Sequence, residues 1–292
     1  MRHTASFGLV VALLTLAAAG CHGADPTRPT GAASPQPAPV PQPPPPQSSA
    51  LRGNVTDTAF RPLRGARVAV VDGPQAGTST TTDTNGLFSL SGTFDSSTRF
   101  SAEMEGYIAV TRTWTQCATC SIPWLSFALE LPTPPVAVAG EYTVTFIADN
   151  ACTGVPAEWR SRTYPATMAP YPQSSGRPAD TTFELTLNEG TFLSGLNTIL
   201  VGVAGDAITM WFGGDGPYVV EEAAPHTYLA FDGAIEVVAT APVRSITASF
   251  NGWFDYCALS GPMGQYYNCP VGSALARSEC QSSNHQLIVT RR

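Results

Sequence analysis

From residue 50 onward, apolar and polar positions alternate with a period of two, the pattern of half-buried strands. Tyr142, Val144, Phe146 and Ala148 share one parity, with Thr143, Thr145 and Ile147 on the other. Phe183, Leu185 and Leu187 line one face of Thr181–Asn188. In the first half the pattern predicts strands at Arg67–Val71, Leu87–Leu90, Phe100–Met104, Tyr107–Thr113 and Trp124–Leu131. In the second half it predicts strands at Arg162–Met168, Ile199–Val203, Ala207–Phe212, Tyr228–Phe231, Ala234–Ala239, Ser245–Phe250, Trp253–Leu259 and His285–Arg291. Asp83-Thr84-Asn85-Gly86 is a turn signal, and Gly205-Asp206, Asp232-Gly233 and Asn251-Gly252 are expected hairpin turns. One short helix is expected over Thr153–Arg160, with Pro156 in its first turn. The expected class is all-β: a β-sandwich followed by an antiparallel β-barrel or a second β-sandwich.

Composition divides the chain. Ten of the 26 residues from Asp25 to Ala50 are proline, so this stretch forms neither helix nor sheet and extends as a spacer of ~80 Å at about 3.1 Å per residue. A second proline-rich stretch, Pro132–Ala139, separates Leu51–Leu131 from Gly140–Arg292 and is expected to be a hinge between two segments with separate cores. The formal charge is −7 and all fifteen basic residues are arginine. The acidic balance argues against nucleic acid and anionic lipid headgroups as partners. The missing lysine excludes a P-loop, a lysine Schiff base and a Ser-x-x-Lys nucleophile pair.

Residues 1–20 carry a basic start at Arg2, a thirteen-residue apolar run from Phe7 to Ala19 and a small-residue end, followed directly by Cys21. The run is shorter than the roughly 20 residues a spanning helix needs. This layout resembles the signal peptide and lipobox of bacterial lipoproteins, with Ala18 where leucine is more usual. The resemblance implies that Cys21 is lipidated and heads the mature chain. It also implies anchoring to the bacterial membrane, expected to be the outer membrane, facing periplasm or cell surface. The other six cysteines, Cys117, Cys120, Cys152, Cys257, Cys269 and Cys280, are an even set in an exported chain and predict disulfides. Cys117 and Cys120 are expected to form a local bridge. The remaining four allow three connectivities, all left open by the sequence.

Gly53-x-Val55-x-Asp57, Pro62-Leu63-x-Gly65-Ala66-x-Val68-x-Val70, Thr82-Asp83-x-x-Gly86-x-Phe88-x-Leu90 and Gly106-Tyr107 together resemble the carboxypeptidase regulatory-like domain. That resemblance implies a seven-stranded transthyretin-like sandwich over residues 51–131 and a non-catalytic accessory role. In residues 140–292, a strand, a short helix and meandering strands, with Gly140-Glu141-Tyr142 and Arg291, resemble the lipocalin and fatty-acid-binding group, although tyrosine stands where tryptophan is usual.

Catalytic signatures are sparse. His22, His226 and His285 sit in no zinc-peptidase spacing, and there is no Gly-x-Ser-x-Gly elbow. No helix follows Cys117-Ala118-Thr119-Cys120 to lower a thiol pKa, so a structural bridge is expected there rather than redox chemistry. Asp215 lies in an acidic glycine-rich loop expected to be a solvated turn, and adjacent Glu221 and Glu222 face opposite sides of a strand and form no acid–base pair, so no metal site is expected. Trp211-Phe212 and Trp253-Phe254 are adjacent aromatic pairs, so one ring of each points away from the core; these four are the candidate ligand-binding residues. The expected function is a non-enzymatic envelope lipoprotein that binds or scaffolds, with no cofactor. Its expected partners are the membrane, through the anchor, and an envelope protein, a polysaccharide or an apolar small molecule. A carrier of an apolar molecule inside the second domain is the alternative, and an enzyme of unrecognised type the third. A cleft with two close carboxylates would revive the enzyme.

Overall fold

The computed structural model describes residues 50–114, 124–171, 177–178, 180–193, 195–213, 219–264, 267 and 269–292. Residues 1–49, which carry the expected signal peptide, Cys21 and the proline-rich stretch, lie outside the described residues, as do Cys117, Cys120 and Asp215. The described chain is all-β, with one 3₁₀ turn at Ala157–Trp159 where the short helix was expected.

The first seven strands form a two-sheet sandwich: β1 (Ala50–Asp57), β2 (Arg67–Val70), β3 (Ser79–Thr81), β4 (Leu87–Ser91), β5 (Arg99–Glu103), β6 (Val110–Thr113) and β7 (Trp124–Leu129). One sheet has the order β4-β1-β7 and the other β3-β2-β5-β6. Leu51, Val55, Val68, Phe88, Leu90, Phe100, Phe127 and Leu129 pack between the sheets. Asp83 Oδ1 accepts from the Asn85 and Leu87 amides while Gly86 takes a φ of +71°, the turn chemistry its sequence predicts. Gly53 sits where β1 meets β7: a Cβ there would lie 1.8 Å from the Leu125 carbonyl oxygen.

The other nine strands are β8 (Gly140–Ile147), β9 (Ser161–Pro170), β10 (Thr182–Leu187), β11 (Thr198–Ala204), β12 (Ala207–Phe212), β13 (Val219–Ala224), β14 (Thr227–Val238), β15 (Ser245–Ala258) and β16 (Ala276–Arg291). They run β12-β11-β10-β9-β8-β16-β15-β14-β13, and a further β12–β14 pairing closes eight of them into a barrel. The sequence left barrel and sandwich open; this pairing settles on the barrel. Both β12 and β13 run antiparallel to β14, one against each half of it, so they act as one interrupted strand.

Two expected hairpins are absent. Asp232-Gly233 and Asn251-Gly252 lie inside the unbroken strands β14 and β15. Gly233 and Gly252 are paired across the two strands, and β15 shifts register against β16 between Phe250 and Gly252. A Cβ on Gly252 would lie 1.9 Å from the Asp232 carbonyl oxygen, and one on Gly233 would lie 2.6 Å from the Phe250 ring. These glycines permit close backbone approach at a bend rather than a turn. Gly205-Asp206 does form its hairpin, with a φ of +60° at Gly205.

Aromatic rings fill the barrel. Phe146 stacks on Phe231 at 4.4 Å and meets Phe212 edge-on at 5.4 Å. Phe212 meets Phe250 at 5.0 Å, and Phe231 meets Phe254 at 4.8 Å. At one end, Arg291 donates to the Ala139 carbonyl at 2.7 Å and its guanidinium lies 5.8 Å from the Tyr142 ring centroid. Toward the other end, Arg162 donates to both oxygens of buried Glu221, at 2.8 and 2.5 Å, and Tyr164 adds a third bond at 2.7 Å.

The sandwich and barrel also touch. Thr58 Oγ1 donates to the Val203 carbonyl at 2.6 Å. The Arg177 guanidinium lies 4.2 Å from the Phe60 ring centroid and donates to Thr56 Oγ1 at 3.1 Å. Burial lowers the Arg177 pKa to about 10, with nearby Arg112 adding to the effect.

Candidate functional site

The two aromatic pairs split as strand parity requires. Phe212 and Phe254 are fully buried in the barrel, whereas Trp211 is 43% and Trp253 38% exposed on its outer face. Trp211 faces Leu200 and Ala234, and Trp253 faces Asp232 and Gln281, so the two indoles share the outer surface at separate places. Trp253 borders a cleft.

That cleft, about 410 Å³, is lined by Leu196, Ala230, Asp232, Trp253, Asp255, Tyr267 and Glu279. Its floor is sheet: Asp255 on β15 is directly opposite Ala230 on β14 and Glu279 on β16, and Trp253 is opposite Asp232. Register places the side chains of Asp255 and Glu279 about 5 Å apart at Cβ. One wall comes from the connection between β15 and β16. The Cys257–Cys269 disulfide pins that connection, and Tyr228, Cys257 and Cys269 form a small core with Leu193, Met263 and Tyr267 on the outside of the barrel. The Met263 amide donates to the Tyr228 hydroxyl at 2.8 Å, holding the wall against the sheet.

Asp232, Asp255 and Glu279 line the cleft, and Arg277 donates to Glu279. Burial raises the Asp255 pKa to about 7, with Glu279 adding to the rise, Arg277 opposing it and Asp232 adding again. Asp255 Oδ1 is shielded from solvent and has no hydrogen-bond partner among the described residues. The Tyr267 phenol is pushed up by burial first and then by Asp255 and Glu279.

This carboxyl gives a pH-dependent stability. Between pH 4 and pH 7 the folded protein keeps a proton on Asp255 that the unfolded chain has released, so stability falls as pH rises through that window. The full penalty is present above pH 7. Asp255→Asn removes it, and the expected gain at pH 8 is about 1–2 kcal/mol after discounting for the cleft's contact with solvent. Thermal melts at pH 4 and pH 8 test this: the variant should melt a few degrees higher than the parent at pH 8 and no higher at pH 4.

Other residues singled out in the sequence have structural settings. Glu221 points into the barrel and Glu222 away from it, as their adjacency on a strand requires. His226 occupies the turn before β14 at a φ of +59°. His285 is buried: its Nδ1 accepts from the Asp149 amide at 3.0 Å and its Nε2 lies 3.1 Å from the Cys280 carbonyl oxygen, and burial lowers its pKa. Cys152 and Cys280 form the second disulfide. Asp232, Asp255, Glu279 and Tyr267 were missed as site residues. The signal for Asp255 was present, since Trp253, Asp255 and Cys257 share one parity on the outward face of β15.

Residues 50–123, about a quarter of the chain, match the family model of the carboxypeptidase regulatory-like domain. The strand count and two-sheet order of the first domain agree with the fold that this resemblance implies. Among solved structures, the chain is similar to a protein of unknown function from Bacteroides fragilis described as membrane-associated. The match has 11% identity and a TM-score of 0.23, and covers 84% of this chain and 98% of that one. No curated protein matches the chain. Among the described residues no helix is long and apolar enough to cross a membrane.

Proposed function

We propose that the chain is a non-enzymatic, lipid-anchored binding module of the bacterial envelope, with its recognition site in the outer-face cleft of the barrel. The observation that carries this reading is the cleft itself, where Trp253, Tyr267 and Asp255 converge over a floor of sheet. Three convergent polar groups with aromatic surface are the usual make-up of a small-ligand site. The interior of the barrel is occupied by its own phenylalanines, which favours the outer face over an internal carrier site despite the Arg291–Tyr142 closure. Asp255 and Glu279 project side by side from neighbouring strands of one sheet face. Two close carboxyls, one with a raised pKa, are also what an acid–base hydrolase uses, so an enzyme of unrecognised type is the second reading.

In this reading Cys21 provides the anchor, the proline-rich tether provides reach, and the carboxypeptidase regulatory-like sandwich presents the barrel. Cys21→Ser should move the protein from the membrane fraction to the soluble fraction, because the acyl chains supply the binding free energy. Retention in a high-salt membrane pellet would refute the anchor. The site is tested by ligand-detected NMR on the intact chain with butylamine, chitobiose and laurate as probes. Binding of the first or second that is lost in Trp253→Ala supports the cleft. Laurate binding unaffected by Trp253→Ala would favour the carrier instead.

A further inference from the structure

We infer that the sandwich and the barrel are latched into one rigid body, with Phe60 as the latch, so that residues 132–139 do not work as a hinge. The inference is independent of what the cleft binds.

Asp57, at the end of β1, builds the latch. Its Oδ1 accepts from the amides of Ala59 and Arg61 at 2.9 and 3.0 Å, and its Oδ2 accepts from Arg61 Nε at 2.7 Å. These bonds fold residues 57–61 into a tight turn in which Phe60 takes a φ of +63°. A bulky side chain rarely adopts that backbone conformation, which persists only where the surroundings impose it. The turn is also buried. Asp57, Thr58 and Ala59 are at most 1% exposed, although connecting segments ordinarily face water.

The barrel supplies the turn's partners. Phe60 rests on β11 at Gly202, where a Cβ would lie 2.5 Å from the Phe60 ring and 2.8 Å from the Thr58 carbonyl oxygen. Only a glycine lets the ring come so close. The Arg177 guanidinium lies 4.2 Å from the ring centroid and donates to Thr56 Oγ1 at 3.1 Å. Thr58 Oγ1 donates to the Val203 carbonyl at 2.6 Å, and Arg61 lies 3.7 Å from Glu236 of β14.

The outward face of β11 bears the mark of this contact. Ile199, Val201 and Val203 belong to the barrel core, so Leu200, Gly202 and Ala204 face outward. Leu200 is partly exposed, whereas Gly202 and Ala204 are buried. Alternation of burial fails where the turn sits, and the covered positions carry the two smallest residue types.

The connection between the domains is fastened too. Val138 is buried in the barrel core with Val136 packed against it. The Val136 amide donates to the Gly205 carbonyl at 2.8 Å, and the Ala139 carbonyl accepts from Arg291 at 2.7 Å. A hinge needs residues free to change φ and ψ, and these are tied to the barrel. The rigid body fixes the direction of the cleft relative to Ala50, where β1 begins.

The test measures amide residual dipolar couplings on the intact, weakly aligned chain, with the strands of the sandwich and of the barrel fitted separately. The expected result is one alignment tensor shared by both. Phe60→Gly removes the ring and suits the positive φ, so the sandwich keeps its turn. Gly202→Val fills the seat from the outward face of β11 and leaves the barrel core alone. Each variant should give two tensors that no longer agree, while amide shifts of β2 and β16 stay as in the parent. Two different tensors in the parent would overturn the rigid body. A single tensor in the parent and in both variants would overturn Phe60 as the latch.

Discussion

Replacing Cys152 and Cys280 together with alanine is expected to destabilise the protein by about 4–5 kcal/mol. The two cysteines are 128 residues apart, whereas Cys257 and Cys269 are 12 apart. In the chain-entropy account the longer loop constrains the unfolded ensemble more, and the short loop contributes only about 3 kcal/mol. The native side points the same way. Cys152 lies in the segment that follows β8, and its bond to β16 holds Val155 in the barrel core with Asp149 against His285. Losing the tether lets this segment lift and exposes that end of the core. Urea unfolding of the two double-alanine variants at one pH provides the comparison. A Cys257/Cys269 variant that lost as much as the Cys152/Cys280 variant would contradict this ordering.

The second large effect is expected at Arg162. Its guanidinium holds both oxygens of Glu221, whose side chain is 5% exposed. Arg162→Met leaves that carboxylate buried with only the Tyr164 hydroxyl as donor, at a cost of about 2–4 kcal/mol. The arginine is itself partly open to solvent, which sets the value below that of a fully buried pair. Adding Glu221→Gln should recover most of the loss, since a neutral amide oxygen still accepts from Tyr164 and no charge remains to be desolvated. The pair is therefore worth less than either half left alone. Denaturant unfolding of the single and double variants measures the coupling, and a double variant no more stable than Arg162→Met would show that the charge is not the cause.

Much of the fold was legible before any coordinates. Alternation at Tyr142–Ala148 and Thr181–Asn188 located strands and their buried faces, because a half-buried strand must alternate to keep water on one side. The spaced Gly53, Gly65, Gly86 and Thr82-Asp83 elements pointed to the sandwich through the family resemblance they carry; Asp83 and Gly86 serve a local turn, whereas Gly53 answers to the close approach of β7. Adjacent Trp-Phe pairs announced one outward ring each for the same reason of parity.

What stayed hidden depends on partners distant in sequence. The closing β12–β14 pairing makes a barrel of what could have been a sandwich, and strand periodicity is identical in both. Asp232-Gly233 and Asn251-Gly252 have turn chemistry, yet the structure uses them for close backbone approach, a need created only when β14 and β15 meet at a bend. Four cysteines with three possible pairings resolve once β15, β16 and the segment after β8 converge. The cleft itself exists because register sets Glu279 opposite Asp255 and the disulfide-pinned connection brings Tyr267 over both. Parity along one strand is local chemistry and can be read from residues, whereas register between strands is settled by the packing of the whole sheet.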